Sequence, residues 1–369
     1  MFICNPWLLS APVCLIYPSY RHGVRNPTRN LRALAVNRSS RFSRGGLHRR
    51  GVYLVCCGNM GWAVGAVQID RLRDMSPRVS VVLPVFNAAA TLARAVASIR
   101  AQTFADWELV AVDDVSTDGT REILRGLARG EPRMRVMEQA HAGVAVAANA
   151  AAVAAKGEFI ARMDADDVSH PERLAEQVAF LDRPANREVG VVGCLVEFGG
   201  DRAAGEGYAL HVDWVNSLLT PAEIALNRFV EAPLANPSAM FRRELVAQHG
   251  GYRVGDFPED YELWLRWLDA GVRIAKVPRV LLTWHDATTR LTRTDARYAP
   301  EAFFRMKAEW IAREVGRLGV ERVCDPLSNN SRVKGRVTDP PYLYIWGAGR
   351  HTRKRAAHLE THGVRIAGY

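Results

Sequence analysis

Cysteine is nearly missing from most of this chain: beyond residue 75, its 369 residues include only Cys194 and Cys324. Two such cysteines cannot build a disulfide framework, which excludes the small cross-linked secreted scaffolds and points to a reducing, cytoplasmic setting. No run of about 18 apolar residues occurs either, so no membrane-spanning helix is expected; peripheral contact with the inner face of a membrane stays open. Residues 1–75 have no lysine and two acids, Asp70 and Asp74, against eleven arginines. That segment carries +9 of the formal net charge of +10, leaving 38 basic and 37 acidic residues in a body close to neutral. The overall charge is therefore no sign of a polyanion partner, and no nucleic acid is expected.

The first 75 residues differ from the rest. They hold four cysteines (Cys4, Cys14, Cys56, Cys57) and no hydrophobic periodicity. Met1–Tyr17 is apolar but has no basic start, which argues against a signal peptide, and the arginine-rich, acid-poor character only weakly suggests a transit peptide. Residues 1–75 are read as an extension, either disordered or foreign to the native protein, with Met75 as the expected start. Four segments follow: the extension, a body over 76–315, a polar linker over 316–341 and a fragment over 342–369.

From Val79 the pattern turns regular. Val79–Val85 is a β-branched apolar run typical of a buried parallel strand, and Leu92, Ala95, Val96 and Ile99 then mark one face of a helix. A second strand over Glu108–Val112 ends in Asp113-Asp114, and Ser116-Thr117-Asp118 offers capping side chains to a helix lined by Thr120, Ile123, Leu124 and Leu127. Val144–Ala155 is an alanine-rich helix that Gly157 is expected to close, Phe159–Met163 a strand, and Val189–Gly193 another. A helix over Tyr261–Ala270, ended by Gly271, carries Trp264 and Trp267 as core residues. Such alternation predicts an α/β fold with an open, mostly parallel sheet and helices on both faces.

Chemistry concentrates at acidic stations. Asp164-Ala165-Asp166-Asp167 packs three carboxylates into four positions after an apolar stretch. Like charges so close repel, so the run is either a solvated turn or an oxygen-ligand site for Mg²⁺ or Mn²⁺, completed by substrate phosphates. Asp113-Asp114 falls at another strand end, where open α/β sheets bind ligands. Glu259-Asp260 opens the tryptophan-bearing helix, as a helix-start acid pair or as a third part of the same site.

These motifs together resemble the family-2 glycosyltransferases of the GT-A fold. Val79-Ser80-Val81-Val82-Leu83-Pro84-Val85-Phe86-Asn87 is similar to their first nucleotide-binding strand and loop, and Val112–Thr120 to their second signature. Asp164-Ala165-Asp166-Asp167 is similar to their Asp-x-Asp motif, and Glu259–Arg266 to the segment bearing the acceptor-activating base. The resemblance implies that Pro84, Val85, Phe86 and Asn87, with Asp113 and Asp114, hold the nucleotide. It implies that Asp164 contacts ribose or metal, and that Asp166 ligates Mg²⁺ or Mn²⁺ with Asp167 beside it. Asp260, next to Glu259, would be the base. His285 is a candidate for metal or phosphate, or a structural histidine; Arg290 and Arg293 could clamp diphosphate or simply be solvated. Asn236 stands where the family often has His. The implied partners are a nucleotide-diphosphate sugar, a UDP-sugar first, and a glycan or lipid-linked acceptor in cell-surface polysaccharide or lipopolysaccharide synthesis.

The tail holds a further motif. Tyr342–Trp346 reads as a strand entering Gly347-Ala348-Gly349, with Thr352 where a dinucleotide fingerprint wants a third glycine. It resembles the start of a Rossmann-like module cut short, with a second strand at Arg365–Ala367. Other readings are a nucleotidyltransferase, which would want a basic glycine-rich loop where Phe86-Asn87-Ala88-Ala89-Ala90 stands, a dinucleotide-dependent module built on the tail, and a sugar-nucleotide-binding protein without catalysis.

Overall fold

The computed structural model describes residues 76–203, 205–286, 291–319, 342–344 and 349–368. Residues 1–75, Arg290 and most of the expected linker therefore lie outside the described residues.

The body is a sheet of eight strands flanked by helices. In chain order come β1 (Val79–Val85), α1 (Leu92–Arg100), β2 (Trp107–Asp113), α2 (Thr120–Arg129), β3 (Met134–Glu138), α3 (Val144–Ala154), β4 (Phe159–Arg162) and β5 (Val168–Ser169). They continue with α4 (Arg173–Asp182), β6 (Val189–Phe198), α5 (Glu206–Ser217), α6 (Pro221–Asn227), β7 (Met240–Arg242), α7 (Glu244–His249), α8 (Glu259–Asp269) and β8 (Arg273–Trp284). Then follow α9 (Leu291–Thr294), α10 (Pro300–Gly319), β9 (Tyr342–Tyr344), α11 (Arg350–Glu360) and β10 (Arg365–Gly368). The strand order is β3-β2-β1-β4-β7-β6-β8-β5, with β9 and β10 in a separate pair. β3, β2, β1 and β4 run parallel, as do β6 and β8, while β7 is antiparallel to both its neighbours. The expected open, mostly parallel sheet is present.

Two apolar layers hold the sheet, and β1 supplies both by its period of two. Val79, Val81, Leu83 and Val85 face α1, α2 and α4, whereas Val82 faces the layer of α3 and α8. The helix stripe Leu92, Ala95, Val96 and Ile99 is wholly buried against the first layer, and Trp264 and Trp267 against the second. Each buried Leu, Val or Ile among them contributes about 1.5–3 kcal/mol by burial.

The structure revises parts of the sequence reading. β3, β5, β7 and β8 had no expected counterpart: only Met134 is buried on β3, an edge strand, β5 and β7 have two and three residues, too few for a periodicity, and β8 is interrupted by exposed residues around Pro278. Gly157 does not close α3, whose last turn is capped at Ala155. A Cβ on Gly157 would lie 2.6 Å from the Ser80 nitrogen, so glycine is required there for the close approach to β1. The Ser80 hydroxyl accepts from the Gly157 N–H at 2.8 Å and donates to Glu108 at 2.7 Å, tying β1, β2 and the entry to β4 together. α10 runs to Gly319, a few residues into the expected linker.

Candidate active site

Parallel strands β2, β1 and β4 bring their carboxyl ends to one edge. Val85 is in register with Asp113, the Asp114 N–H donates to the Val85 carbonyl at 2.9 Å, and the Met163 N–H to the Val82 carbonyl at 3.1 Å. The loops after β1 and β2 clasp each other. The Asn87 side chain accepts from the Thr117 N–H at 2.8 Å, the Asn87 N–H donates to Ser116 Oγ at 2.9 Å, and Asp118 accepts from the Ala89 N–H at 3.0 Å. Asn87 and Val115 hold positive φ, 47° and 63°. For β-branched Val115 this is a strained backbone, kept by the surrounding bonds. Phe86 stays 48% exposed, its ring 4.7 Å from that of His141, and so offers an aromatic face beside the strand ends.

The carboxylates of the first station are both saturated by the protein. Asp113 is fully buried and accepts from the Ser116 N–H at 3.2 Å and from Arg121 Nε at 3.0 Å. Asp114 accepts from Gln139 at 2.7 Å, the Ala142 N–H at 2.9 Å and the Gly143 N–H at 2.8 Å, with His141 Nδ1 at 2.9 Å. Burial works against its charge, but these donors prevail and hold its carboxyl below the usual range. Asp114 thus ties the β3–α3 loop to β2.

The acidic run follows β4. Asp164 and Asp166 are half-buried, and Asp167 is buried, accepting from the His285 N–H at 2.8 Å. His285 therefore meets the run through its backbone, while its ring stands over Gly199. Arg94 reaches the Asp166 carbonyl at 3.1 Å and braces the turn from α1. Asp164 Oδ1 is held at 2.6 Å by Arg162, which is fully buried under the run. Arg173, also buried, donates to the Arg162 carbonyl at 2.7 Å. Two guanidiniums under three carboxylates offset the repulsion in the run.

The third station lies across from the second. Glu259 and Asp260 fill the first turn of α8, where Asp260 accepts from the Tyr261 N–H at 2.7 Å and so also stabilises the helix start. Burial, then the charges of Glu259 and Asp164, push the Asp260 carboxyl up to about 7. Burial also raises Glu259, against the hydrogen bond it accepts from the Tyr298 hydroxyl. Tyr252 lies in the field of Arg162, Asp260, Asp164 and Glu259, and its hydroxyl donates to Asn236 at 2.8 Å. The second and third stations thus form one electrostatic cluster, some 96 positions apart in sequence.

Four members of this cluster escaped the sequence reading: Arg162, Tyr252, Tyr298 and Arg297, whose charge acts on Glu259. Arg162 did leave a signal, a lone cation closing an apolar strand just before the acids. Tyr298 left none, since it reaches Glu259 only through the fold. Arg293 pairs with Asp286, its Nε at 3.0 Å.

The residues fit a hard divalent cation. Asp164 and Asp166 present partly exposed oxygens at a strand end, and Mg²⁺ needs only one or two carboxylates when phosphates complete its shell. Among the described residues no three His, Cys, Asp or Glu side chains form a self-sufficient metal cage.

The open α/β sheet with acidic groups at its strand ends is the arrangement found in known transferase structures. S. aureus TarS 1-349, solved in complex with UDP-GlcNAc, matches with a TM-score of 0.51 at 22% identity, over 64% of this chain and 66% of that one, a likeness of fold. The putative glycosyltransferase EpsE of Bacillus subtilis (strain 168) is 34% identical over 209 residues, 54% of this chain and 70% of EpsE. The putative teichuronic acid biosynthesis glycosyltransferase TuaG of the same organism is 36% identical over 111 residues, 30% of this chain and 44% of TuaG. The model of glycosyl transferase family 2 matches residues 80–250. The chain belongs to glycosyl transferase family 2 and has the GT-A fold. No described helix is long and apolar enough to cross a membrane.

Proposed function

We infer that this enzyme is an inverting, metal-dependent glycosyltransferase that moves a sugar from a nucleoside-diphosphate donor, a UDP-sugar first, to an acceptor hydroxyl. The acceptor is a growing cell-surface glycan or a lipid-linked saccharide, met in the cytoplasm at the inner face of the membrane. The observation that supports this reading is the convergence of Asp260 and Glu259, at the start of α8, with Asp164 after β4 in a chain of this family; burial and those neighbouring charges push the Asp260 carboxyl up to about 7. A general base works best with a pKa near the operating pH, and an ordinary aspartate near 3.9 would be too weak.

Phe86 and His141 offer a π surface to the nucleobase, and Pro84, Val85 and Asn87 shape the loop beside it. Asp113 and Asp114 support that loop from below. Asp164 and Asp166 would hold Mg²⁺ or Mn²⁺, with Asp167 fixing the turn behind them and His285 alongside. When bound, the ion supplies charge neutralisation for the departing diphosphate. Arg293 is a candidate to clamp that diphosphate, which requires it to exchange Asp286 for phosphate, and Arg290, outside the described residues, is the other candidate that the family resemblance suggests. Asp260 takes the proton of the acceptor hydroxyl as its oxygen attacks the anomeric carbon. One base and one displacement invert that centre, with no second carboxyl acting as nucleophile. TarS was solved with UDP-GlcNAc, which favours UDP donors in the first trial.

The test is a panel of nucleotide sugars, read by release of the nucleoside diphosphate with and without Mg²⁺ or Mn²⁺. Release from at least one donor, abolished by chelator and insensitive to metal in Asp166→Ala, is the expected result. Full turnover in chelator would overturn the metal role, and no turnover with any donor and a saccharide acceptor would overturn the activity.

A further inference from the structure

The edge that holds the acidic stations also carries a row of aromatic rings that the chemistry above does not use. β7 runs antiparallel to both β4 and β6, so β4, β6 and β8 point the same way and end where the acidic run stands. β6 ends at Phe198 and β8 at Trp284, and the next N–H, that of His285, donates to Asp167 at 2.8 Å. From there the rings continue along α5. Tyr208 lies 5.7 Å from Phe198 and 5.0 Å from Trp284, His211 lies 6.1 Å from Tyr208, and Trp214 lies 5.8 Å from His211, centre to centre. We propose that Tyr208, His211 and Trp214 form a stacking platform for the acceptor saccharide, which leads its reacting end to the acidic run. This platform rests on the transferase reading above and narrows the acceptor to a pyranose chain.

Three observations support it. The first is that α5 is attached without these rings. The helix buries Ala209, Val212 and Val215, one row at three-residue spacing. Asn216 accepts from the Val196 N–H at 3.0 Å and donates to the Val196 carbonyl at 2.7 Å, as a neighbouring strand would, and the Lys276 side chain donates to the Val215 carbonyl. Tyr208, His211 and Trp214 occupy the adjoining row and stay half-buried on this fixed support.

The second is place. A Cβ on Gly205 would lie 3.4 Å from Asp286 Oδ2, so α5 starts against the residue that holds Arg293. The row therefore begins beside the acidic run and leads away from it along the flank of β6. From Tyr208 to Trp214 the helix rises by about 9 Å, longer than a single pyranose ring.

The third is chemistry. The face of an aromatic ring is electron-rich, and one face of a pyranose presents polarised C–H groups, so the two stack. The Tyr208 hydroxyl, the His211 nitrogens and the Trp214 N–H can meet the hydroxyls at the sugar's rim. A lipid chain would ask for an unbroken apolar face, and His211 interrupts this one, which favours a saccharide.

The test uses the full chain. Cello-, malto- and chitohexaose serve as saccharide probes and dodecyl phosphate as a lipid probe, each titrated without donor or metal and read by calorimetry and tryptophan fluorescence. Wild type should bind at least one hexasaccharide saturably and more tightly than the lipid probe. Tyr208→Leu and Trp214→Leu keep apolar volume on the helix but remove the rings, and each should lose about tenfold or more in that affinity. Tyr208→Phe and Trp214→Phe should stay within about threefold of wild type, since the ring is kept. With the bound saccharide as acceptor, the Leu variants should raise the acceptor KM by the same factor and leave the donor KM unchanged. Should a Leu variant fail to fold, as read by Tm, His211→Ala takes its place with the same expectation. Asp166→Ala should bind the saccharide as wild type does. Ring-dependent binding without turnover of any donor would uphold the platform and overturn the activity. Turnover with an unaltered acceptor KM in the Leu variants would do the reverse. Absence of saturable saccharide binding, tighter binding of dodecyl phosphate, or equal losses in the Phe and Leu variants would also overturn the platform.

Discussion

The two acidic pairs Asp113-Asp114 and Glu259-Asp260 make a useful contrast. Both are acidic doublets at the ends of secondary structure, and both are largely removed from water. Asp114 is surrounded by protein donors and is held below the ordinary carboxylate range. Asp260 receives one N–H, from Tyr261 at 2.7 Å, faces two other carboxylates, and is pushed up to about 7. Burial raises both; the count of donors decides the sign. A saturated carboxylate is a structural tie, and an unsaturated one is poised to exchange a proton.

The sharpest way to break this contrast is Asp260→Asn. It should lower kcat by about 10²–10⁴-fold, the range for loss of a general base, while nucleotide binding stays within a few-fold. Nucleoside-diphosphate release and a binding titration measure the two separately, and undiminished turnover would remove Asp260 as base. Asp114→Ala should do the reverse. Leaving the Gln139 and Gly143 donors without a partner should cost about 2–4 kcal/mol in urea unfolding. A stability equal to wild type would show the tie to be dispensable.

Smaller effects follow from pH. With Asp260 as base, activity should rise through a midpoint near 7 as the carboxyl deprotonates. Glu259→Gln removes the neighbouring charge and should lower that midpoint by about one pH unit; a rise would contradict the coupling. Stability has the opposite slope. The folded chain keeps a proton on Asp260 between about 3.8 and about 7, whereas the unfolded chain has lost it, so this contribution is full at low pH and fades as pH rises through that window. Asp260→Asn should therefore be more stable than wild type at pH 8, on the order of 1–2 kcal/mol after allowance for partial solvation, and level with it near pH 4. Equal stability at both values would mean that Asp260 titrates normally.

Much of the fold was legible where patterning is strong. β1 and β2 are β-branched apolar runs buried throughout, α1 and α8 carry a clear period of 3.6, and α3 is an alanine-rich helix former. β3, β5, β7 and β8 were not legible: β3 is a half-exposed edge, β5 and β7 are two and three residues long, and Pro278 interrupts the pattern of β8. Gly157 misled because a glycine after a helix suggests a cap, and only the approach of β1 reveals its other purpose. In the site, residue types and order were readable at all three stations. Their electrostatic states were not.

The sequence by itself determined the family, through four motifs in order, and the strand ends at which Asp113, Asp164 and Asp166 stand. These depend on local pattern and on chain order, which a sequence carries whole. Only the tertiary structure decided that the charge of Asp114 is stabilised by donors of the β3–α3 loop, that Arg162 lies beneath Asp164, and that Tyr298 reaches Glu259. It likewise decided that the ring of Tyr208 meets those of Phe198 and Trp284. Each depends on the distance between groups far apart in the chain and on the water removed between them, and neither quantity is written in residue order.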